Sequence, residues 1–409
     1  MRQQLLGLTA RSNSRAFSDV RDRRRCASVI DLPKPRLDPA SYTGRVRTRC
    51  LSFHAAYRCR HAGECCRADW DIDVEPHIVE AVRSGRVRPV LSTPVAFENA
   101  PAPPGSHPGN PEAAPLQLSR TRAGECGFHI HERCSLQEAG TEAMLPSACR
   151  HFPRVYLRDA RGSLLTLSHF CPTAAALLLD DRPVTIVDAT APLALQEPIE
   201  GLDARGALPP LVRLGLLADL SGYAAWEEAV IQTFIAAADA ETALDQIDRA
   251  TEQIRAWTPG AGELIALVTR AFAADPVLSR PTPLSRGFAI AKELTGAHPL
   301  MEIPVDFDHA WRVLRDDTTE SMAPVVARYL AATAFGNWVA YRGQGLRSVA
   351  AWLRAAHDVL RIQLVRHRRA ARGPLDMPML LQSIRMTDYI MVHTVDSLAF
   401  GRASVALER

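Results

Sequence analysis

The chain has 409 residues, of which 47% are hydrophobic, so it can bury a sizeable core, and its length favours two domains. Its formal net charge is only +3, which gives no electrostatic case for nucleic acid or an anionic membrane as a partner. No run of residues approaches the roughly 18 apolar residues of a membrane span. The apolar stretch near the start is too short for a secretory signal, so we expect a cytoplasmic protein whose thiols are free to bind metal.

Residues 1–40 are polar and arginine-rich, with little apolar periodicity, which predicts a flexible arm. Residues 41–200 contain the motifs described below and predict a cysteine-cluster domain. Within it, residues 92–118 are rich in Pro, Ala and Gly, which predicts an irregular surface excursion. Across residues 201–409 apolar side chains recur at three- and four-residue spacing. The expected fold is therefore an α+β cysteine-cluster domain with a short β-hairpin, followed by a predominantly α-helical domain.

A β-hairpin is predicted between residues 154 and 168, because the strand-like segments RVYL and SLLTLS flank the turn RDARG. A hairpin brings its two ends together, so we expect the flanking Cys149 and Cys171 to lie side by side. Pro172 suits the first position of a helix, which predicts that Cys171 caps a helix N-terminus. The helix dipole there favours thiolate over thiol.

Cysteines concentrate in one segment: of the nine in the chain, seven lie between Cys59 and Cys171, and none follows. Adjacent Cys65 and Cys66 make a poor disulfide, but they can offer two thiolates from one turn of chain. Thiolates suit zinc or an iron–sulfur cluster, and seven of them exceed the needs of one zinc ion. The candidate metal ligands are Cys59, Cys65, Cys66, Cys126, Cys134, Cys149 and Cys171. The competing interpretation is that these are small buried hydrophobic side chains.

Several histidines lie within a few residues of these cysteines. Each of them, taken alone, indicates an ordinary hydrogen-bonded or surface role rather than metal ligation. They are His61, His129, His131, His151 and His169.

The segments YRCRHAGECCR, CGFHIHERCSL, LPSACRHFPR and SLLTLSHFCPTAAALLL together resemble the CxxCxxCC cysteine-cluster proteins, which are described as zinc- or iron-chelating domains. They are most similar to the flagellin lysine-N-methylase branch, over roughly residues 50 to 180. The resemblance assigns the family's cysteines to the seven candidates above. The family pattern would place one more cysteine at Ala62, and the adjacent His61 is a candidate nitrogen ligand in its place.

The resemblance implies that a methyl group passes from S-adenosylmethionine to a lysine side chain of a flagellin-like protein substrate. It also implies a bound metal, an iron–sulfur cluster in preference to zinc. No strand followed by a glycine-rich turn marks a cofactor site. Asp388 and His393 lie five positions apart, too far around one helix to predict an acid–base pair. The alternatives are a non-catalytic or redox metal-cluster protein whose helical domain binds a partner protein, and a family member that has lost a ligand at Ala62.

Overall fold

The computed structural model describes residues 47–60, 63–68, 70–91, 97–99, 116–140, 142–190, 193, 201–274, 283–296, 298–316, 322–371 and 373–408. The predicted arm 1–40, most of the excursion 92–118, and both His61 and Ala62 lie outside these residues, so the predictions about them stay predictions. The chain has mixed α and β structure with a helical C-terminal region, as expected. Among the described residues, no helix has the length and apolar character needed to cross a membrane.

The described chain divides into two compact units. The first unit runs from Cys65 to Arg150, and the second combines Thr48–Glu64 with His151–Arg409.

The β-strands are short in both units. They are β1 (Thr48–Leu51), β2 (Asp73–Val74), β3 (Phe97–Asn99), β4 (Leu116–Leu118), β5 (His129–Ile130), β6 (Arg133–Cys134), β7 (Arg154–Asp159), β8 (Gly162–Leu167), β9 (Ile186–Asp188), β10 (Leu202–Asp203), β11 (Leu211–Arg213) and β12 (Leu216–Leu217).

Long helices occur after residue 219. The α-helices are α1 (Glu64–Arg67), α2 (Pro76–Arg83), α3 (Ser135–Ala139), α4 (Ser147–His151), α5 (Pro172–Ala176), α6 (Leu220–Ala236), α7 (Ala240–Arg255), α8 (Leu264–Phe272), α9 (Arg286–Leu294), α10 (Phe307–Asp316), α11 (Ala323–Ala334), α12 (Val339–Arg342), α13 (Leu346–Ala371), α14 (Met377–Asp388), α15 (Ser397–Ala403) and α16 (Val405–Glu408). A π-helix, Tyr389–Thr394, follows α14 directly.

The first unit has a three-stranded sheet in the order β2-β4-β3 and a small hairpin of β5 and β6. The prediction that residues 92–118 are wholly irregular is therefore wrong at 97–99 and 116–118, where β3 and β4 pair antiparallel. Phe97 and Leu118 pack in an apolar cluster with Ile78 and Phe128, and this burial explains why the two ends form strands.

The second unit has a five-stranded sheet in the order β10-β7-β8-β1-β9. Strands β7 and β8 pair antiparallel from Arg154 opposite Leu167 to Asp159 opposite Gly162, which confirms the predicted hairpin. The short strands β10 to β12 precede the helices, so the region after residue 201 is not helical throughout.

Several helices of the second unit begin at side chains that accept backbone N–H groups. Asp219 accepts from Gly222 at 2.6 Å at the start of α6, and Asp239 accepts from Thr242 at 2.8 Å at the start of α7. The longest helix, α13, buries apolar side chains along most of its length. Gly287 on α9 lies so close to it that an added Cβ would be 2.1 Å from the Ala351 carbonyl oxygen. These helices therefore pack closely enough to form one large apolar core.

Candidate metal centre

Five of the predicted ligands lie in the first unit, and their sulfur atoms are close enough to affect one another's ionisation. A hydrogen bond with Cys65, then burial and the charges of neighbouring thiolates, raise the pKa of the Cys66 thiol. Burial raises the pKa of the Cys149 thiol well above its usual range, and the thiolates of Cys65, Cys126 and Cys134 raise it further. The structure therefore brings together thiols from three separate segments of the sequence.

Short elements of the first unit position these thiols. Cys65 and Cys66 lie on α1, and the backbone N–H of Cys126 donates to the Cys66 carbonyl at 2.7 Å. In the β5–β6 hairpin Cys134 lies opposite His129. Cys149 lies on α4. Two short helices and one hairpin thus position four of the five thiols, and the N–H bond to the Cys66 carbonyl positions Cys126.

The turn between β5 and β6 is tight. Its two residues, His131 and Glu132, have φ angles of 48° and 64°, in the left-handed region that most side chains avoid. A two-residue turn of this kind lets the flanking strands pair immediately on either side of it. Cys134 therefore lies close to Cys126, which precedes β5.

Backbone N–H groups point at two of the sulfur atoms. Cys126 accepts hydrogen bonds from the N–H groups of Phe128 and His129, and these lower the pKa of its thiol against the larger effect of burial. The backbone N–H groups of Gln137 and Leu136 likewise lower the pKa of the Cys134 thiol against the larger effect of burial. In both turns the donors are the second and third residues after the cysteine. Hydrogen bonds of this kind stabilise a thiolate, which is the form that binds metal.

Arg120 ties the cysteine segments to one another. Its Nη1 donates to the Ala68 carbonyl at 2.7 Å and to the Gly124 carbonyl at 3.3 Å, and its Nη2 donates to the Trp70 carbonyl. Its positive charge also lowers the pKa of the Cys126 and Cys149 thiols. The arginine therefore fixes the backbone next to the thiols and favours their charged form.

His129 is a further donor beside the thiols, which the sequence indicated only as an ordinary histidine. Its Nδ1 lies 3.5 Å from Glu125 Oε2. Glu125 also forms an ion pair with Arg67 through its other oxygen. Its Nε2 is buried and has no hydrogen-bond partner among the described residues. A buried imidazole nitrogen without a partner is costly unless something binds it.

As they stand, no three His, Cys, Asp or Glu side chains of the described part of the chain are arranged to hold a metal ion. The chemistry of the donors nevertheless fits a soft metal. Several sulfur atoms lie close together inside the first unit, and backbone N–H groups favour the thiolate form of two of them. The buried Nε2 of His129 has no hydrogen-bond partner among the described residues. Sulfur with imidazole suits zinc or an iron–sulfur cluster rather than magnesium or calcium.

Cys59 and Cys171 lie in the second unit. Cys171 occupies the N-cap of α5 and Pro172 its first turn, which confirms that part of the prediction. Burial raises the pKa of Tyr57, and so do the charges of Cys171 and Cys59, which places both thiols near that ring. Cys171 is buried, whereas Cys59 is exposed. Because Cys149 and Cys171 belong to different units, their predicted proximity stays a prediction.

The second unit also contains a polar centre that the sequence did not predict. Asp388 and His393 both hydrogen-bond to the Ser168 hydroxyl, which joins them although their spacing in the sequence did not predict an acid–base pair. The segment after Asp388 is a π-helix, which the sequence did not predict. The backbone hydrogen bonds of a π-helix join residues five apart. Residues with that spacing, such as Asp388 and His393, therefore lie on the same face of the helix.

No family model, curated protein or solved structure matches this chain. The resemblance to the cysteine-cluster proteins therefore depends on the quoted segments alone.

Proposed function

We propose that this chain binds an iron–sulfur cluster or zinc through its cysteines and transfers a methyl group from S-adenosylmethionine to a lysine side chain of a protein. The observation that carries the metal part is the pair of turns at Cys126 and Cys134. In each, two backbone N–H groups lie near the sulfur atom and lower the pKa of its thiol against the larger effect of burial. A thiol buried only as a small apolar side chain has no need of such donors.

The thiols of the first unit would hold the metal, whereas the roles that the resemblance gives Cys59 and Cys171 stay predictions. An iron–sulfur cluster is favoured over zinc, because a single zinc ion takes four ligands and the first unit alone offers more sulfur atoms than that. His129 offers a nitrogen ligand beside them, and His61 is the candidate in place of the cysteine absent at Ala62. A reducing, cytoplasmic location, in which thiols stay free for metal, is part of the proposal.

The methyl-transfer part is supported by the resemblance. In this reaction the neutral lysine amine attacks the methyl carbon, the carbon–sulfur bond of the sulfonium breaks, S-adenosylhomocysteine leaves, and the nitrogen loses one proton. The chemistry needs an in-line approach and a group that takes the proton. It needs no redox step, so the metal would be structural or would help to hold the cofactor. The flagellin-like nature of the substrate follows from the resemblance alone.

The second candidate function is a non-catalytic or redox metal-cluster protein whose helical region binds a partner protein. The observation that favours it is the lack of a recognisable cofactor turn in the sequence. Both candidates share the metal centre and differ in whether S-adenosylmethionine binds.

Metal analysis with an absorption spectrum of anaerobically purified protein tests the shared part. We expect stoichiometric metal, with broad absorption near about 400 nm for iron–sulfur or a colourless sample for zinc. Cys126→Ser and Cys134→Ser should each lower the metal content. Cys50→Ala is the matched control, since Cys50 is buried in β1, where burial raises its pKa to about 12. Wild-type protein without metal under these conditions would contradict the proposal.

Isothermal titration with S-adenosylmethionine separates the two candidates. The methyltransferase requires binding by metal-replete protein. Metal-replete protein that does not bind the cofactor would leave only the second candidate.

A further inference from the structure

Three polar side chains from distant parts of the sequence meet inside the second unit. Ser168 Oγ lies 2.8 Å from Asp388 Oδ2 and 2.7 Å from His393 Nε2. Ser168 directly follows β8, Asp388 ends α14, and His393 lies in the π-helix. Single-turn π-helices are rare and occur often at functional sites, because they place a side chain where an α-helix could not.

The Ser168 hydroxyl has one proton and two neighbours that can accept it. When Asp388 is charged, Ser168 donates to it and the Nε2–H of His393 donates to Ser168. When Asp388 is protonated, the direction reverses: the carboxyl donates to Ser168, and Ser168 donates to Nε2. Moving one proton along this path therefore changes the charges at its two ends, Asp388 and His393, and leaves Ser168 neutral.

The two ends of the path differ in burial. Asp388 has only 3% of its surface exposed, whereas His393 is partly exposed. Burial raises the pKa of the Asp388 carboxyl to about 7, although Ser168 and the backbone N–H groups of His169 and Phe170 favour its charged form. A carboxyl that changes charge near neutral pH is suited to accept and release protons. A buried proton acceptor is thus connected to a partly exposed imidazole.

Aromatic rings surround His393. The ring centres of Phe152 and Phe170 lie 6.1 Å and 6.2 Å from that of His393, and Tyr389 packs on Phe170 at 5.3 Å. The Arg385 guanidinium lies 5.7 Å from the centre of the Phe170 ring, and its charge is paired with Glu64 at 3.0 Å. Aromatic faces near a carboxyl attract organic cations. The surroundings of His393 therefore suit the ammonium group of an alkyl chain.

We propose that His393, Ser168 and Asp388 take a proton from an alkylammonium ligand. His393 contacts the ammonium, and Asp388 receives the proton through Ser168. The ammonium gives one proton to Nδ1 of His393, Nε2 releases its proton to Ser168 Oγ, and the hydroxyl proton of Ser168 passes to Asp388 Oδ2. Only N–H and O–H bonds change, and no electrons are transferred. The inference rests on the proposed function, because methyl transfer to lysine consumes a neutral amine.

Other titratable groups face this centre from each neighbouring element. They are Tyr329 on α11, His169 after β8, Arg385 on α14 with its partner Glu64 at 3.0 Å, His367 on α13, and His298 against the ring of Tyr389. Burial raises the pKa of Tyr329 well above its usual range and lowers that of His169 to about 3. Burial also lowers the pKa of His367 and of His298. Burial lowers the pKa of His393 itself to about 4, so an inflection of its signal near pH 7 is assigned to the change of charge at Asp388, with which it shares the Ser168 hydroxyl.

NMR titration of the full chain, carrying ¹³C-labelled histidine, tests the connection. The His393 signal, assigned with His393→Gln, should show an inflection near pH 7 between pH 5 and 9. That inflection should disappear in Asp388→Asn and in Ser168→Ala. Ser168→Ala keeps the Asp388 carboxyl, so it provides the test if Asp388→Asn does not fold. Ser383→Ala is the matched control, because Ser383 Oγ contacts His367 Nδ1 at 2.8 Å without a carboxyl partner. An inflection that persists in folded Asp388→Asn would overturn the inference.

The same signal tests the ligand, with n-butylammonium chloride as the probe and sodium chloride at equal ionic strength as the control. We expect a saturable shift of the His393 signal in the wild type, and binding weaker by roughly tenfold in Asp388→Asn. No shift, or equal binding by the variant, would overturn the inference. Neither measurement involves metal or S-adenosylmethionine. A protein that binds neither metal nor S-adenosylmethionine would thus contradict the proposed function and leave these two measurements unaffected. An enzyme whose methylation is unchanged by Asp388→Asn would contradict this inference and leave the proposed function intact.

Discussion

The two units differ in the length of their helices and in the size of their apolar cores. Among its described residues, the first unit has helices no longer than α2, with eight residues, and a small apolar cluster. The second unit has helices of up to 26 residues and one extensive apolar core. A small core leaves little net stability, and domains of this kind depend on disulfides or metals. If the proposed metal binds, we expect the first unit to depend on it for stability and the second unit to fold without it.

Buried polar groups show the same difference. In the second unit, Arg161 is paired with both Asp159 and Glu227 at 2.8 Å, so its charge is compensated within the protein. In the first unit the thiols face one another, and each thiolate raises the pKa of its neighbours. Several thiolates at that position would need a cation to compensate their charge. Arg120 supplies part of that charge.

The largest effect that distinguishes the units is expected on removal of metal. Structural metal sites of thiolates contribute on the order of 10 kcal/mol to folding. We expect chelation to speed amide hydrogen exchange in residues 126–139 by at least about a hundredfold, while α13 stays protected. Mass spectrometry of peptides from both units measures this. Equal loss of protection in both units, or none in either, would contradict the difference described above.

Close packing of the second unit is tested by Gly287→Ala. The new methyl group would meet the Ala351 backbone, which cannot move aside cheaply, so we expect a loss of about 3 kcal/mol in the free energy of unfolding. Urea denaturation measures it, and metal content should not change. Gly206→Ala is the control, since nothing lies within 4 Å of its added Cβ. A variant as stable as the control would show that the helices can separate at little cost.

A smaller effect on the first unit is expected from Arg120→Ala. The substitution leaves the carbonyls of Ala68, Trp70 and Gly124 without this donor and removes a charge beside the thiols. We expect a loss of about 2 kcal/mol and metal binding weaker by about tenfold, measured by competition with a chelator. The exposed Arg122, substituted in the same way, is the control. Unchanged metal affinity would exclude a role for Arg120 in holding the site.

The smallest effect concerns Asp388 in the second unit. Its pKa is raised to about 7 in the folded protein, above its ordinary value of 3.8. Between these values the folded state holds a proton that the unfolded state has lost, so the stabilising contribution is lost as pH rises towards and through 7. Relative to Asp388→Asn, the wild type should lose about 1 kcal/mol of stability between pH 6 and pH 8. Parallel pH profiles of the two proteins would show that this carboxyl does not titrate there.

Local sequence predicted the features that depend on neighbouring residues. The β7–β8 hairpin followed from alternation and a turn, and the start of α5 followed from Pro172. The strands β3 and β4 escaped prediction because each is three residues long and lies at the edge of a Pro-rich segment. Their pairing is favoured by burial against Phe128, which lies outside that segment.

The site residues that sequence reasoning missed depend on distant partners. Arg120 acts on carbonyls some 50 positions earlier, and nothing near it in the sequence distinguishes it from other arginines. Ser168 and Asp388 are 220 positions apart, and only the π-helix brings His393 to them. The cysteines, in contrast, were predicted as a group, because clustering and adjacency are visible in the sequence itself.

X-ray absorption at the edge of the bound metal tests the central claim most directly, because it reports the atoms around the metal in the intact protein. The account predicts a shell of roughly four sulfur atoms at about 2.3 Å. A shell of only nitrogen and oxygen at about 2.0–2.1 Å, or protein that binds no metal at all, would contradict it.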